Sequence, residues 1–517
     1  MAVQVLTAKE AAKLVPDGCN FATDGYVGAG FAEEIAQEIE RRFLETGHPR
    51  DLTLLFCAGE GDYKKRGLNH FAHETMIRRA IGGYWGLAPN LGTLAVENKI
   101  LAYNFPQGVL SHIFRDCAAG KPGTITHVGL NTYVDPRLQG GKINDVTKED
   151  LVRLMEIDGR EYLFYQRIPI DFAILKGTFA DERGNISIEH RGTKMDMLVI
   201  AEACKNCGGK VIVQVERLVK AGTLDPKKVE IPGMLVDAVV LVEDMKNHMM
   251  SFATQYNPGF SGECTISDDS FVPMEMGVKK IIARRAAFEL KENSIINLGI
   301  GTPEFVSSIA MEEGIRDHFI LTVDDGIVGG SPQSDADFGL SLNPECIMPH
   351  SSLFDFYHGR GLDQAFSGLA QVDAHGNVNV SKFGPKVPGC GGFIDLTQNA
   401  RQLFFLGTFT AGGLEAEVSG GELHIRKDGR FCKFRNTIEQ ISFSSEYALK
   451  HDLPVLFITE RAVLQLTHEG LLLTEIAPGV DLERDILAHM KCRPLVSGNL
   501  KRMDARIFRE EKMGLGK

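Results

Sequence analysis

The residues best placed to do chemistry stand at the end of an apolar run. Phe319-Ile-Leu-Thr-Val323 stops at Asp324-Asp325, and Gly326 and Gly329-Gly330 follow. The run has the composition of a buried strand, which would deliver a carboxylate to its C-terminal edge with glycines around it. In open α/β sheets ligands bind outside those strand ends. A carboxylate there can be a nucleophile, a general base, a metal ligand or only a turn residue, since Asp and Gly are ordinary turn formers. Consecutive strand residues face opposite ways, so Asp324 and Asp325 should not both enter one site.

The elements that must hold this carboxylate occur twice. Asp24-Gly25-Tyr-Val-Gly28-Ala-Gly30 leads into a helix-like stretch, then Arg50-Asp51, then Leu52-Thr-Leu-Leu-Phe-Cys57 and Gly59-Glu60-Gly61. Downstream, Asn297-Leu-Gly299-Ile-Gly301-Thr302-Pro303 opens a helix-like stretch, followed by Arg316-Asp317 and the run that ends at Asp324. A second echo joins Gly177-Thr-Phe-Ala-Asp181 and Gly184-Asn185-Ile-Ser187 to Gly368-Leu-Ala-Gln-Val-Asp373 and Gly376-Asn377-Val-Asn379. Both copies predict a strand, a turn at Gly-Asn and a returning strand. Two copies are too few for a solenoid. The reading is α/β: two related open α/β domains from an internal duplication, fused in one chain, the first enlarged by an insertion. The expected boundaries are a first half at 1–247, a crossing segment at 248–276, and a second half at 277–517 that opens on the amphipathic stretch after Val278. Glu60, the equivalent of the downstream acids, is expected to be a solvated turn residue.

The 517 residues exceed one hydrophobic core. The 44% hydrophobic and 24% charged composition is that of a globular protein. A net charge of −12 argues against a broad nucleic-acid footprint. No apolar run approaches the roughly 20 residues that span a bilayer, and the N-terminus lacks an export signal. A cytoplasmic protein is expected, with no membrane partner. The ten cysteines form no framework. Cys204-Lys-Asn-Cys207 has redox or zinc spacing but no second pair or histidine cluster beside it, so a helix end and turn is the better reading and no metal is expected. Cys390, in Gly389-Cys-Gly391-Gly392, could lie near a ligand but has no evident base. The glycine turns lack dinucleotide-binding spacing and a ribose-binding acid, which leaves a nicotinamide or flavin enzyme weakly supported.

The chain resembles family I coenzyme A transferases of the single-chain acetate/propionate type. The likeness rests on Asn297 to Pro303, Leu321 to Gly326 with Gly329-Gly330, Gly389 to Asp395, Gly407-Thr-Phe-Thr-Ala-Gly412-Gly413, Ile458 to Val463 and Glu475 to Gly479. In the first half it rests on Ala102-Tyr-Asn-Phe-Pro-Gln107-Gly108 and Gly208 to Glu216. The resemblance implies ping-pong exchange of CoA between short-chain acyl-CoA and free carboxylates (acetate, propionate, lactate or butyrate), through an enzyme carboxyl–CoA thioester. It implies that Asp324 is the nucleophile and that Gln107 with the N–H groups of Gly391 or Gly392 forms the oxyanion hole. Gly299, Gly301 and Thr302 would line the CoA and substrate site between the halves, with Gly407, Gly412 and Gly413 in an adjoining loop. No tightly bound cofactor is implied, coenzyme A being the substrate, and a homotetramer is expected.

One position departs from the family pattern: Asp324 stands where the family has Glu. The carboxylate is withdrawn by one methylene, and near-attack geometry is sensitive at the ångström scale. A working transferase, an acyl-CoA hydrolase and a slowed transferase all remain open at this point. A non-catalytic small-molecule sensor is the reading from another class, since fold alone does not establish function. The aromatic stretch Phe354-Asp-Phe-Tyr357-His-Gly-Arg-Gly361 is expected to line an acyl pocket or to end a core strand.

Overall fold

The computed structural model describes residues 2–267 and 272–516, so residues 268–271 of the expected crossing segment lie outside it. The chain divides into two compact units. The first comprises Met1–Ile266, Val323–Asp355 and Lys382–Asp395, and the second Ser267–Thr322, Phe356–Ser381 and Leu396–Lys517.

The first unit is built on an eight-stranded sheet. Its order is Gln4–Leu6, Ala238–Leu241, Lys210–Val215, Phe172–Lys176, Asn20–Ala22, Leu52–Phe56, Ile77–Gly82 and Leu101–Asn104. Every neighbouring pair runs parallel. Parallel sheets are covered on both faces, so their central strands are apolar throughout rather than alternating. Leu52–Phe56 and Phe172–Lys176 follow that rule, with every residue buried. Helix Glu33–Thr46 turns Ile35, Ala36 and Ile39 inward and ends at Gly47, whose φ of +72° makes a left-handed cap. The insertion adds a three-stranded antiparallel sheet of Gly123–Thr126, Arg160–Gln166 and Val152–Ile157.

The second unit repeats the plan. Ile320–Val323, Ile295–Leu298, Gln364–Gly368, Gln402–Leu406 and Val455–Ile458 lie in that order and run parallel. Ala462–Thr467 and Gly470–Ile476 continue the sheet antiparallel. The succession strand, helix, adjacent parallel strand is thus common to Asn20–Ala22, Glu33–Thr46, Leu52–Phe56 and to Ile295–Leu298, Phe305–Glu313, Ile320–Val323. The second echo holds down to single atoms. Asp181 accepts from the N–H groups of Arg183 and Asn185 at 2.8 and 3.0 Å, and Gly184 has φ of +85°. Asp373 accepts from those of His375 and Asn377, both at 2.9 Å, and Gly376 has φ of +88°. These are side-chain-bridged turns in which glycine supplies the left-handed backbone.

One of two alternatives falls away and one expectation fails. The aromatic stretch after Phe354 ends no strand; it belongs to helix His350–His358. Leu353, Phe354 and Tyr357 are all buried, the three-to-four-residue spacing of a helix face. Glu60 is not solvated either and is only 1% exposed. Its backbone pairs with Val27, and side chains added at Gly59 and Gly61 would run into Tyr84 and Leu87, so the turn is packed down rather than open.

Candidate active site

The site is assembled in the first unit from the carboxyl ends of parallel strands and the starts of three helices, at Gln107, Asp196 and His350. Strand Leu101–Asn104 runs through Phe105-Pro106 into helix Gln107–Ala118, with Pro106 as its cap. Asn104 holds this corner: its amide donates to the carbonyls of Gly82 and Gly83 at 2.8 and 2.6 Å, and its side-chain oxygen accepts from the Cys390 N–H at 3.0 Å. Gly83 is required there, because a Cβ would lie 2.2 Å from the Cys57 carbonyl.

The Gly389–Gly392 segment is fastened to the same corner. The Gly391 N–H donates to the Gly83 carbonyl at 2.9 Å, and the Gly391 carbonyl accepts from the Gln107 N–H at 2.9 Å. The Gly391 N–H is therefore committed to the backbone. Cys390 is buried with its thiol 3.5 Å from the Phe105 carbonyl, and burial pushes that thiol above its ordinary range. It is a packing residue.

Asp324 follows strand Ile320–Val323 and is half-buried. It lies directly against Gly392: a Cβ on Gly392 would be 2.5 Å from Asp324 Oδ2 and 3.5 Å from the Phe354 ring. Asp325 is turned away and fully buried. Burial, then the neighbouring Asp324 charge, pushes Asp325 well above the usual carboxylate range. Gly326, with φ of +106°, bends the chain tightly beneath them, since a Cβ would lie 2.2 Å from the Met348 carbonyl.

Behind Gln107 stands a buried relay. The Gln107 amide nitrogen is 2.9 Å from His350 Nε2, and His350 Nδ1 is 2.7 Å from Asp196 Oδ2. The Ser111 hydroxyl donates to the other Asp196 oxygen at 2.5 Å. His350 and Asp196 are 0% and 1% exposed at their side chains, too dry for water to screen the pair. Burial pulls the His350 imidazole down, but the Asp196 carboxylate, with help from Asp324, leaves it above its usual range. Burial lifts Asp196, and the His350 charge more than reverses this, so its carboxyl ends below the usual range. A neutral imidazole accepts the Gln107 amide N–H. An imidazolium instead donates to the amide oxygen and turns the NH₂ the other way.

A second acid packs alongside. Asp24 Oδ1 accepts from the Asp196 N–H at 2.8 Å, and Asp24 Oδ2 is 3.1 Å from the Arg191 guanidinium. Burial outweighs that cation and lifts Asp24 to about 6. Burial also raises Glu60 well above the carboxylate range, the Thr23 hydroxyl offsetting only part of it. Cys57, Asp196 and His350 bring donor atoms within 4.8 Å of one another. Those types can ligate a divalent cation. In this structure His350 and Asp196 are spent on each other, and the Cys57 thiol donates to the Gln107 carbonyl at 2.9 Å.

Of the expected site residues, Asp324, Gln107, Gly391 and Gly392 all fall in the first unit. Gly299, Gly301, Thr302, Gly407, Gly412 and Gly413 belong to the second. There Gly301, with φ of +85°, caps the short turn Thr302–Glu304 and has open space at its Cβ position. Gly299 packs on the Phe366 carbonyl, while Gly407 lies beneath Leu369 and Lys433. Gly412 packs against the Phe431 ring, and Gly413 is open. Reasoning from sequence missed His350, Asp196, Ser111 and Arg191. Only Asp24 left a signal, as the acid opening the first glycine turn.

Comparisons with known proteins agree with this architecture. A family model described as Coenzyme A transferase matches residues 5–241. The chain is 43% identical to the acetate CoA-transferase YdiF of Escherichia coli K12 over 514 residues, covering 99% of this chain and 96% of that protein. It is also 43% identical to the caffeate CoA-transferase of Acetobacterium woodii, covering 99% and 98%. A crystal structure of the E. coli O157:H7 acyl-CoA transferase YdiF, described as a thioester complex with CoA, superposes with a TM-score of 0.95. Its identity is 42%, with coverage of 99% of this chain and 98% of that one. On the strength of these matches this chain belongs to the coenzyme A transferase family. It is an enzyme of CoA transfer.

Proposed function

We propose that the chain exchanges CoA between short-chain acyl-CoA and free short-chain carboxylic acids (acetate, propionate, lactate, butyrate) through an Asp324–CoA thioester. The observation that carries this reading is the half-buried Asp324 carboxylate set against Gly392, in the unit that also holds the Gln107–His350–Asp196 relay. The similarity to an acetate CoA-transferase and to a structure described as a thioester complex with CoA supports it.

In this mechanism the Asp324 carboxylate attacks the thioester carbonyl and CoA leaves as thiolate, giving a mixed anhydride. The thiolate attacks the Asp324 carbonyl, expels the first acid and leaves the enzyme thioester. A second carboxylate reverses both steps, which is ping-pong covalent catalysis. The Gln107 amide and the Gly392 N–H hold the developing oxyanion, Gly391 being committed to Gly83. The acyl group rests on Phe354, which touches Gly392 and Gly108. Gly299, Gly301, Thr302, Gly407, Gly412 and Gly413 contact CoA, offering N–H groups to its oxygens. The catalytic halves are 1–247 and 277–517, joined by 248–276. The working form is a cytoplasmic homotetramer; among the described residues no helix is long and apolar enough to cross a membrane.

Incubation with acetyl-CoA alone should add the mass of CoA, less water, to the peptide containing Asp324. Adding propionate should discharge it to propionyl-CoA, with parallel double-reciprocal plots. Free CoA released at a rate independent of the acceptor acid would instead favour hydrolysis, the outcome the shorter Asp324 side chain allows. A preference for cinnamate-like acids over propionate would align the pocket with the caffeate enzyme.

A further inference from the structure

The Cys204-x-x-Cys207 motif is not absorbed by the site described above, and the structure separates its two thiols. Cys204 is buried, and its Sγ faces the Lys210 carbonyl at 3.3 Å. Cys207 caps the C-terminus of helix Met197–Asn206 and is partly exposed, between Asn206 and Gly208. Its sulfur lies 3.7 Å from that of Cys117, which is buried at the end of helix Gln107–Ala118. The two helices pack together, and the Asn206 amide donates to the Ala118 carbonyl at 2.7 Å, tying the same two ends. The Arg167 guanidinium approaches Cys207 Sγ at 3.1 Å.

We propose that Cys117 and Cys207 form a peroxide-sensitive pair that closes to a disulfide, with Cys207 as the reactive thiol and Cys117 as the resolving one. The two sulfurs need to approach by less than 2 Å to reach bonding distance near 2.05 Å. Cys207 sits at a helix cap beside Gly208, whose φ of +80° places it in a turn rather than in the helix, so the movement need not unwind a helix interior. The asymmetry of the pair suits the two roles. Burial alone would lift Cys207, but the Ile170 backbone and the Arg167 guanidinium bring its thiol below the ordinary range; burial pushes Cys117 up to about 11. A thiolate beside a cation, reachable from solvent, is the form that peroxides oxidise.

The chemistry balances with a hydroperoxide as oxidant. The Cys207 thiolate attacks one peroxide oxygen, the O–O bond breaks, and sulfur is oxidised to a sulfenic acid as hydroxide or alkoxide leaves. Cys117 then gives up its proton and attacks the sulfenic sulfur. The S–S bond forms, the S–O bond breaks and water departs. The cross-link would pin together the far ends of the two helices that begin at Gln107 and just after Asp196.

The full-length protein treated with one equivalent of hydrogen peroxide should yield, on non-reducing peptide mapping, a Cys117–Cys207 linked peptide two hydrogens lighter than its parts. Dithiothreitol should reverse it. Before oxidation, Cys207 should react with iodoacetamide faster than the exposed Cys264 and Cys346. Arg167→Met should slow it roughly tenfold, and Cys117→Ala should let dimedone trap the Cys207 sulfenic acid. A Cys207 that alkylates no faster than Cys264, or a native protein giving sulfinic acid and no linked peptide, would overturn the proposal. Mapping of the native chain decides the question even where the buried Cys117→Ala variant fails to fold.

Discussion

Replacing Gly392 with alanine isolates the contact on which the proposed nucleophile depends. Gly392 has no left-handed φ requirement, so alanine fits the backbone. Its methyl group, however, would lie 2.5 Å from Asp324 Oδ2 and 3.3 Å from Asp324 Cγ. Contacts under 3.0 Å are essentially never made and ordinary contact begins at 3.4 Å, so the carboxylate must retreat by about 0.5–0.9 Å. A 1 Å misplacement of a reacting group can cost about a hundredfold. The expected loss in kcat/KM is thus roughly ten- to a hundredfold, or about 1.4–2.7 kcal/mol in the barrier. Gly391→Ala is the matched control. Its φ of +52° makes alanine strained by about 1–2 kcal/mol, yet its nearest added contacts are ordinary ones at 3.6–3.8 Å. Gly391→Ala should therefore lower the melting temperature more than the rate, and Gly392→Ala the rate more than the melting temperature. Stopped-time assays of acetyl-CoA and propionate exchange, beside thermal unfolding of both variants, give the comparison. A Gly392→Ala enzyme that forms thioester and exchanges at the wild-type rate would refute the claim that a precisely placed Asp324 carboxylate does the chemistry.

Three further outcomes are expected. Gln107→Ala should lower kcat by about 10²–10³, the usual loss for one oxyanion donor, while unchanged turnover in a chemistry-limited assay would remove Gln107 from the mechanism. Asp196→Asn removes the charge that holds the His350 imidazole above its usual range. In the native chain the raised His350 contributes stability that is full below about pH 6.5 and lost as pH rises through its native value. The lowered Asp196 contributes stability present above about pH 3.9 and lost as pH falls through its native value. The variant should thus lose about 1.5–3 kcal/mol between those limits and lose less above them, as urea midpoints across pH would register; a uniform loss would point to packing instead. Asp324→Glu restores the longer side chain of the family pattern and should raise the ratio of transfer to free-CoA release in a two-product assay, an equal ratio meaning that chain length does not govern water entry.

The duplication was legible because it is written in local chemistry. Apolar runs, glycine turns and the Asp181/Asn185 and Asp373/Asn377 bridges need only neighbours a few residues apart, and the same patterns recur in both copies. Asp324 could be singled out for the same reason, as an acid ending an apolar run before glycines. Its neighbours could not. His350 reaches Gln107 across 243 positions and Asp196 across 154, and neither separation leaves a trace in spacing or composition. Glu60 shows the limit most plainly: Gly-Glu-Gly reads as a solvated turn, yet the Val27 pairing and the packing of Tyr84 and Leu87 bury it. The thiols of Cys204-x-x-Cys207 likewise part company, one facing its own chain and the other meeting Cys117 from another helix. Sequence by itself determined the repeated strands and turns and which carboxylate ends a strand, since propensity and periodicity act over one or two turns of chain, although it left helix His350–His358 unread. Which acids are buried, which imidazole is held above its usual range and which N–H is already committed were decided only by tertiary packing, because desolvation and charge pairing depend on neighbours that the chain order does not set.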